Sequence, residues 1–93
     1  MSRKRKVDKN QVEIVRGLRA LGYSVRHTHT VGMGFPDIAV GKHGITLLVE
    51  IKQKGEPLTE KETEFFETWR GAAIIGTSVE DIGTYFSEIG DDL

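Results

Sequence analysis

Asp37, Glu50 and Lys52 are charged residues set at the ends of two apolar runs. Asp37 follows Pro36 just ahead of IAV, while Glu50 and Lys52 close the run TLLVEIK. Side chains alternate along a strand, so Leu47, Val49 and Ile51 point one way and Leu48, Glu50 and Lys52 the other. Glu50 and Lys52 are then neighbours on one face, roughly 7 Å apart. An unpaired carboxylate or ammonium is costly to bury, so each group needs a partner, a metal or water. If the strand ends reach solvent, the two form an exposed pair with no further role. If the strands bring Asp37 to Glu50, the acids repel and raise one another's pKa unless a cation lies between them. Two hard oxygens in a chain without cysteine favour Mg²⁺ or Mn²⁺. Mg²⁺ keeps several waters, one of which can become a nucleophile. Lys52 beside such an ion would have a lowered pKa. It could orient or deprotonate that water, or stabilise charge developing in the reaction.

Positioning these groups takes a hairpin. Pro36 is tolerable as the first residue of a strand, Gly41-Lys42-His43-Gly44 reads as the turn, and Ile45 to Lys52 as the central strand. Upstream, Asp8 is the N-cap of a helix expected from Lys9 to Leu21, stopped by Gly22. Gln11, Ile14, Val15, Leu18 and Leu21 recur at helical spacing, while Arg16 and Arg19 lie off that face. An amide on such a stripe is ordinarily a core group satisfied by backbone. Tyr23 to Thr30 alternates as a strand, with Tyr23, Val25, His27 and His29 in register. His27 and His29 suggest a zinc pair, but with only His43 besides and no cysteine a closed structural zinc site is not expected. His29 faces either the site, a phosphate or solvent.

Val31-Gly32-Met33-Gly34 is a loop whose glycines either permit close backbone approach to nucleic acid or simply make the turn. Gln53 to Pro57, with Lys54, is a polar loop that either crosses a substrate or leads into the next helix. Thr59 caps a helix running to Trp69, with Glu62 three residues on completing a capping box. Glu62, Phe65, Phe66 and Trp69 share helical spacing, and the aromatics read as core. Ala72 to Gly76 reads as a short buried strand, Ser78 as the cap of a short helix over VEDIGTYF, and IGDDL as a fraying tail. The order α-β-β-β-α-β-α describes one α/β domain built on a mixed sheet.

Composition bounds the rest. Ninety-three residues hold one domain with one core, so residues 1–7 are expected as a basic flexible arm and 8–93 as the folded unit. No run approaches the roughly 18 apolar residues of a membrane span, and no signal-peptide core follows the basic start. With no cysteine there are no disulfides, and a soluble, intracellular chain is expected. Net charge is only −1, but residues 1–26 carry eight Lys or Arg against two acids, and residues 55–93 carry two against ten. That asymmetry suits a phosphate-facing end opposed to an acidic face, or charge balance between solvated surfaces or subunits.

Pro36-Asp37 followed by Glu50-Ile51-Lys52 resembles the core of the PD-(D/E)xK nucleases. The wider pattern NQVEIVRGLRALGYSV, VGMGFPDIAVG, LLVEIK and LTEKETEFFETWRG resembles the VRR-NUC branch in its small stand-alone phage and bacterial form, from Asp8 to Asp81. The resemblance implies a restriction-endonuclease-like mixed sheet flanked by helices. It also implies a metal-dependent DNA endonuclease working as a homodimer on branched DNA such as four-way junctions, in the cytoplasm of a bacterial or phage-infected cell. It makes Asp37 and Glu50 ligands of Mg²⁺ or Mn²⁺, adds the backbone carbonyl of Ile51, and gives Lys52 a catalytic role. Gln11, with Ile14, Val15 and Leu18 three, four and seven residues on, is similar to the family's first-helix Glu/Gln position. Its neutral amide could ligate a metal or hold its water. DNA contacts are expected from Arg16, Arg19, His29, Gly32, Gly34, Gln53 and Lys54. Glutamine is common in the family where this chain has Glu62, and capping explains the acid better than a DNA contact. Flap or nick cutting, a catalytically silent branched-DNA-binding module, and an adaptor using its acidic C-terminal face are the alternatives.

Overall fold

The computed structural model describes residues 9–91; the expected basic arm, the Asp8 cap and residues 92–93 lie outside the described residues. Helix α1 spans Lys9–Ala20 and buries Gln11, Ile14, Val15 and Leu18, the stripe its spacing predicts. It ends in a Schellman motif: Tyr23 N–H donates to the Leu18 carbonyl and Gly22 N–H to that of Arg19. Gly22 takes the left-handed φ of +93° that this cap requires. The helix therefore stops one residue early, and Leu21, expected on the buried stripe, is 58% exposed.

Strands β1 (Ser24–His27), β2 (Ile38–Lys42), β3 (Ile45–Ile51) and β4 (Ala73–Gly76) lie side by side in that order. The first three are antiparallel and β4 runs parallel to β3, with helix α2 (Glu60–Thr68) in the crossover. Helix α3 (Val79–Asp91) follows, so the protein is a small α/β unit with a four-stranded mixed sheet and three helices. β1 is shorter than the alternation suggested. Thr28 still donates its N–H to the Asp37 carbonyl, but its hydroxyl reaches the Pro36 carbonyl at 2.8 Å and its own carbonyl closes a turn with Val31. A hydroxyl bonded to backbone competes with the ladder, so His29 sits in a turn rather than on the strand. The same bond occupies Pro36, and β2 begins at Ile38.

α1 and α3 pack on one face of the sheet, where Ile38, Val40, Leu47, Val49 and Ile82 are fully buried. Gly17 makes the α1–α3 approach possible, since a Cβ there would lie 2.8 Å from a Val79 methyl. Ser78 caps α3 by accepting the Asp81 N–H. The helix runs beyond the expected VEDIGTYF because Ile89 continues the stripe of Ile82 and Phe86 and packs on the core, so Ile89–Asp91 is helical rather than frayed. Among the described residues no helix is long and apolar enough to cross a membrane.

Candidate functional site

Glu50 and Lys52 project from the face of β3 opposite α1 and α3, yet only 3% and 7% of their surfaces are exposed. The exposed-pair reading is therefore wrong. Helix α2 closes over them, and its position is fixed at three points. Thr59 and Glu62 form the capping box, with Glu62 N–H donating to Thr59 Oγ1 and Thr59 N–H to Glu62 Oε1. Phe35 packs edge-on against Phe65 and Trp69, which stack on each other at 4.9 Å. The backbone of Gly34, at φ +78°, abuts Lys61 and Glu62 so closely that any Cβ would run into the Lys61 carbonyl. Gly34 thus permits a close backbone approach, to α2 rather than to the nucleic acid for which its loop was considered.

Asp37 stands at the start of β2, beside the end of β3. The β2–β3 pairing ends at Ile38 with Val49, and the next inward N–H of β3, that of Ile51, donates instead to Asp37 Oδ2 at 2.8 Å. This bond fixes Asp37 next to Glu50. Burial first, then the negative charges of Asp37 and Glu62 and a hydrogen bond with Asp37, push the Glu50 carboxyl up to about 9, and Lys52 only partly counteracts them. Two converging acids raise one another's pKa in this way when no cation lies between them.

Lys52 is held by acids. Its Nζ lies 2.8 Å from Glu62 Oε1, 3.6 Å from Glu56 Oε2 and 3.8 Å from Glu50 Oε2. The Glu50 contact is the longest of the three, and the closest ion pair is Lys52–Glu62. Burial opposes the ammonium's charge, but the hydrogen bond and charge of Glu62, with Glu50 and Glu56, outweigh it and raise the Lys52 pKa. Burial likewise opposes the Glu62 carboxylate, and Lys52 together with the Thr59 N–H more than compensates, lowering its pKa.

Among the described residues no three His, Cys, Asp or Glu side chains form a metal-holding group. The donor set available to a cation is the Asp37–Glu50 pair. A hard divalent ion fits it chemically, because two carboxylates offer hard oxygen donors and opposing charge. Gln11 is 4% exposed, and its Nε2 lies 3.0 Å from His27 Nδ1. Burial, then His29 and Arg19, lower the His27 pKa. Gln11 thus has its own partner on the face of Ile38, and no hydrogen bond joins it to Asp37 or Glu50.

Of the other expected contacts, Arg16 and Arg19 are exposed on α1 and line a shallow cavity of about 440 Å³ with Val12, Val15 and His27. Arg19 also donates to the Val25 carbonyl. The His29 ring meets that of His27 edge-on at 5.7 Å. A Cβ on Gly32 would meet nothing within 4 Å. Gln53 and Lys54 are exposed in the loop after β3, where the Gln53 N–H donates to Glu56. Sequence reasoning missed the pairing of Glu62 and Glu56 with Lys52. The available signal was an acid on the same helical stripe as Phe65, Phe66 and Trp69. No family model, curated protein or solved structure matches this chain.

Proposed function

We propose that the protein is a metal-dependent, structure-selective DNA endonuclease of the PD-(D/E)xK type, in the VRR-NUC manner, acting as a homodimer on four-way junctions. One observation carries this reading: Asp37, held by the Ile51 N–H, stands beside the buried carboxyl of Glu50, with the buried ammonium of Lys52 3.8 Å from Glu50. A mixed sheet with one acid entering β2 and the other near the end of β3 accords with the nuclease resemblance. A Mg²⁺ or Mn²⁺ ion taken up by Asp37 and Glu50, with the Ile51 carbonyl as a further ligand, would supply Lewis acidity and a water of lowered pKa. Asp37, fixed through Oδ2 by the Ile51 N–H, keeps its second oxygen for binding. Lys52 stands next to Glu50, able to orient the attacking water or to balance charge developing on the scissile phosphate. Two-fold symmetry would set two such sites on two strands, the geometry that junction resolution needs.

A silent branched-DNA-binding module is the second reading. What favours it is that Lys52 Nζ sits 2.8 Å from Glu62 but 3.8 Å from Glu50, engaged by an acid outside the pair. The test is cleavage of a labelled four-way junction beside flap, linear duplex and single strand, in Mg²⁺, Mn²⁺ or EDTA. Asp37→Asn is the control, because its amide oxygen can still accept the Ile51 N–H while the ligand charge is gone. Symmetric, metal-dependent nicks on the junction that disappear in Asp37→Asn are expected. Cutting confined to flaps retains the active site and removes the resolvase assignment. Tight junction binding without cutting in either metal establishes the silent module.

A further inference from the structure

Met33 holds a backbone conformation from which its own side chain gains no burial. Its φ is +57°, and with Gly34 at +78° and a Phe35 N–H to Gly32 carbonyl bond of 3.0 Å it forms a type I′ turn. Methionine is a poor residue for the first central position, which asparagine or glycine occupies without strain. The other non-glycine residue with positive φ, His43 at +54°, sits in the two-residue hairpin turn between β2 and β3, where strand pairing demands this geometry. Met33 lies outside any strand pairing and is 78% exposed, so its own side chain gains no burial from the turn. Val31, two residues before it, is 60% exposed.

The loop is nonetheless held firmly. Gly34 is wedged against the backbone of Lys61 and Glu62, Phe35 is locked among Phe65 and Trp69, and Thr28 at the loop's start is tied to Pro36. Glu62 is the residue whose carboxylate holds Lys52, so Met33 immediately precedes a glycine that abuts the helix turn carrying this site's acid. A strained, unburied apolar side chain on a rigid support beside that turn points to use on a ligand. We infer that Met33 is an apolar wedge that enters an opened base step at a DNA branch point and presents the adjoining phosphodiester to the site. The inference rests on the proposed nuclease reading for its ligand. Branch points suit it because their base steps are already partly unstacked, and methionine is among the side chains that intercalate in this way.

The test uses the full chain and a synthetic four-way junction carrying 2-aminopurine next to the branch, whose fluorescence rises on unstacking. Binding is read by anisotropy in EDTA, so that no cutting intervenes, and cleavage is read separately in Mg²⁺. Met33→Asn creates an Asn-Gly type I′ turn and should raise Tm by roughly 4 °C. At the same time it should abolish the fluorescence rise and weaken junction binding on the order of tenfold. Met33→Leu should keep the rise and the affinity. A loop with only a structural role predicts stability and binding moving together, not in opposite directions. An undiminished fluorescence rise with Met33→Asn overturns the wedge and leaves the nuclease reading intact. A Met33-dependent rise in a protein that never cuts upholds the wedge and removes the nuclease assignment. Absence of any junction binding by the unaltered chain overturns both.

Discussion

Glu62 serves two partners through one oxygen, and separating them tests the site's electrostatics. Oε1 accepts the Thr59 N–H at 2.9 Å and lies 2.8 Å from Lys52 Nζ. Glu62→Ala removes both. Truncating one side of a buried ion pair costs about 3–5 kcal/mol, because the remaining charge is left buried and uncompensated. Loss of the cap adds about 1 kcal/mol. Lys52 keeps Glu56 at 3.6 Å, but that carboxylate is 46% exposed, and Glu50 is farther still at 3.8 Å. A total near the lower end, about 3 kcal/mol, is therefore expected for alanine. Glu62→Gln behaves differently, since glutamine also completes a capping box and its oxygen can still accept from Nζ. Only the charge goes, at about 1 kcal/mol, the difference between a charged and a neutral hydrogen bond. Urea midpoints near pH 7, at unchanged m, measure both variants. A double-mutant cycle with Lys52→Met isolates the pair, with coupling of at least about 1 kcal/mol expected. Equal, small losses for alanine and glutamine, or coupling near zero, would refute the ion-pair account and leave Glu62 as a cap alone.

The remaining predictions concern protons, metal and salt. Glu50's carboxyl rises from 4.5 unfolded to about 9 folded, so the native state keeps a proton that the unfolded chain has lost, and metal-free stability should fall as pH rises across that window. Mg²⁺ or Mn²⁺ displacing that proton should raise Tm more near pH 8.5 than near pH 6, and Glu50→Gln should lose both trends; an equal metal effect at the two pH values contradicts the raised carboxyl. Glu62 has the opposite sign: its pKa is lowered, so its contribution is present above about 4.5 and lost as pH falls through the folded value. Arg16 makes no ion pair among the described residues and should contact phosphate directly, so Arg16→Ala should reduce the slope of log affinity against log salt by about 0.9. An unchanged slope would remove α1 from the DNA interface.

Local chemistry made most of the fold legible. α1 follows from its apolar spacing and the Gly22 stop, α2 from Thr59 and Glu62, and β3 from its own alternation. The misjudged lengths were decided at a distance. β1 stops because the Thr28 hydroxyl finds a carbonyl eight residues away, and α3 continues because Ile89 has a core to pack on. The site divides in the same way. Asp37 and Glu50 could be paired from two strands joined by a tight turn. Lys52 and Glu62 are separated by a loop that conceals their meeting, and the capping box gave Glu62 a sufficient explanation that hid its second partner. Gln11's bond to His27 spans sixteen residues and leaves no local trace.

A structural purpose does not account for the charges around Lys52. α2 is already docked by Phe35 against Phe65 and Trp69 and by the Gly34 backbone, so the ion pair is not needed to hold it. Buried ion pairs are commonly no more stabilising than apolar residues of the same shape, and net stability for a domain of this kind is only about 5–15 kcal/mol. Four ionisable groups, Asp37, Glu50, Lys52 and Glu62, are costly features gathered at one place in the molecule. Elsewhere sequence and structure agree closely, and where they part without structural gain a functional demand is the expected reason. What Glu62 achieves is to keep an ammonium charged and buried next to an acid pair. An apolar residue at Lys52 would be easier to fold, and under the proposed nuclease reading it would leave no cation there to meet a phosphate.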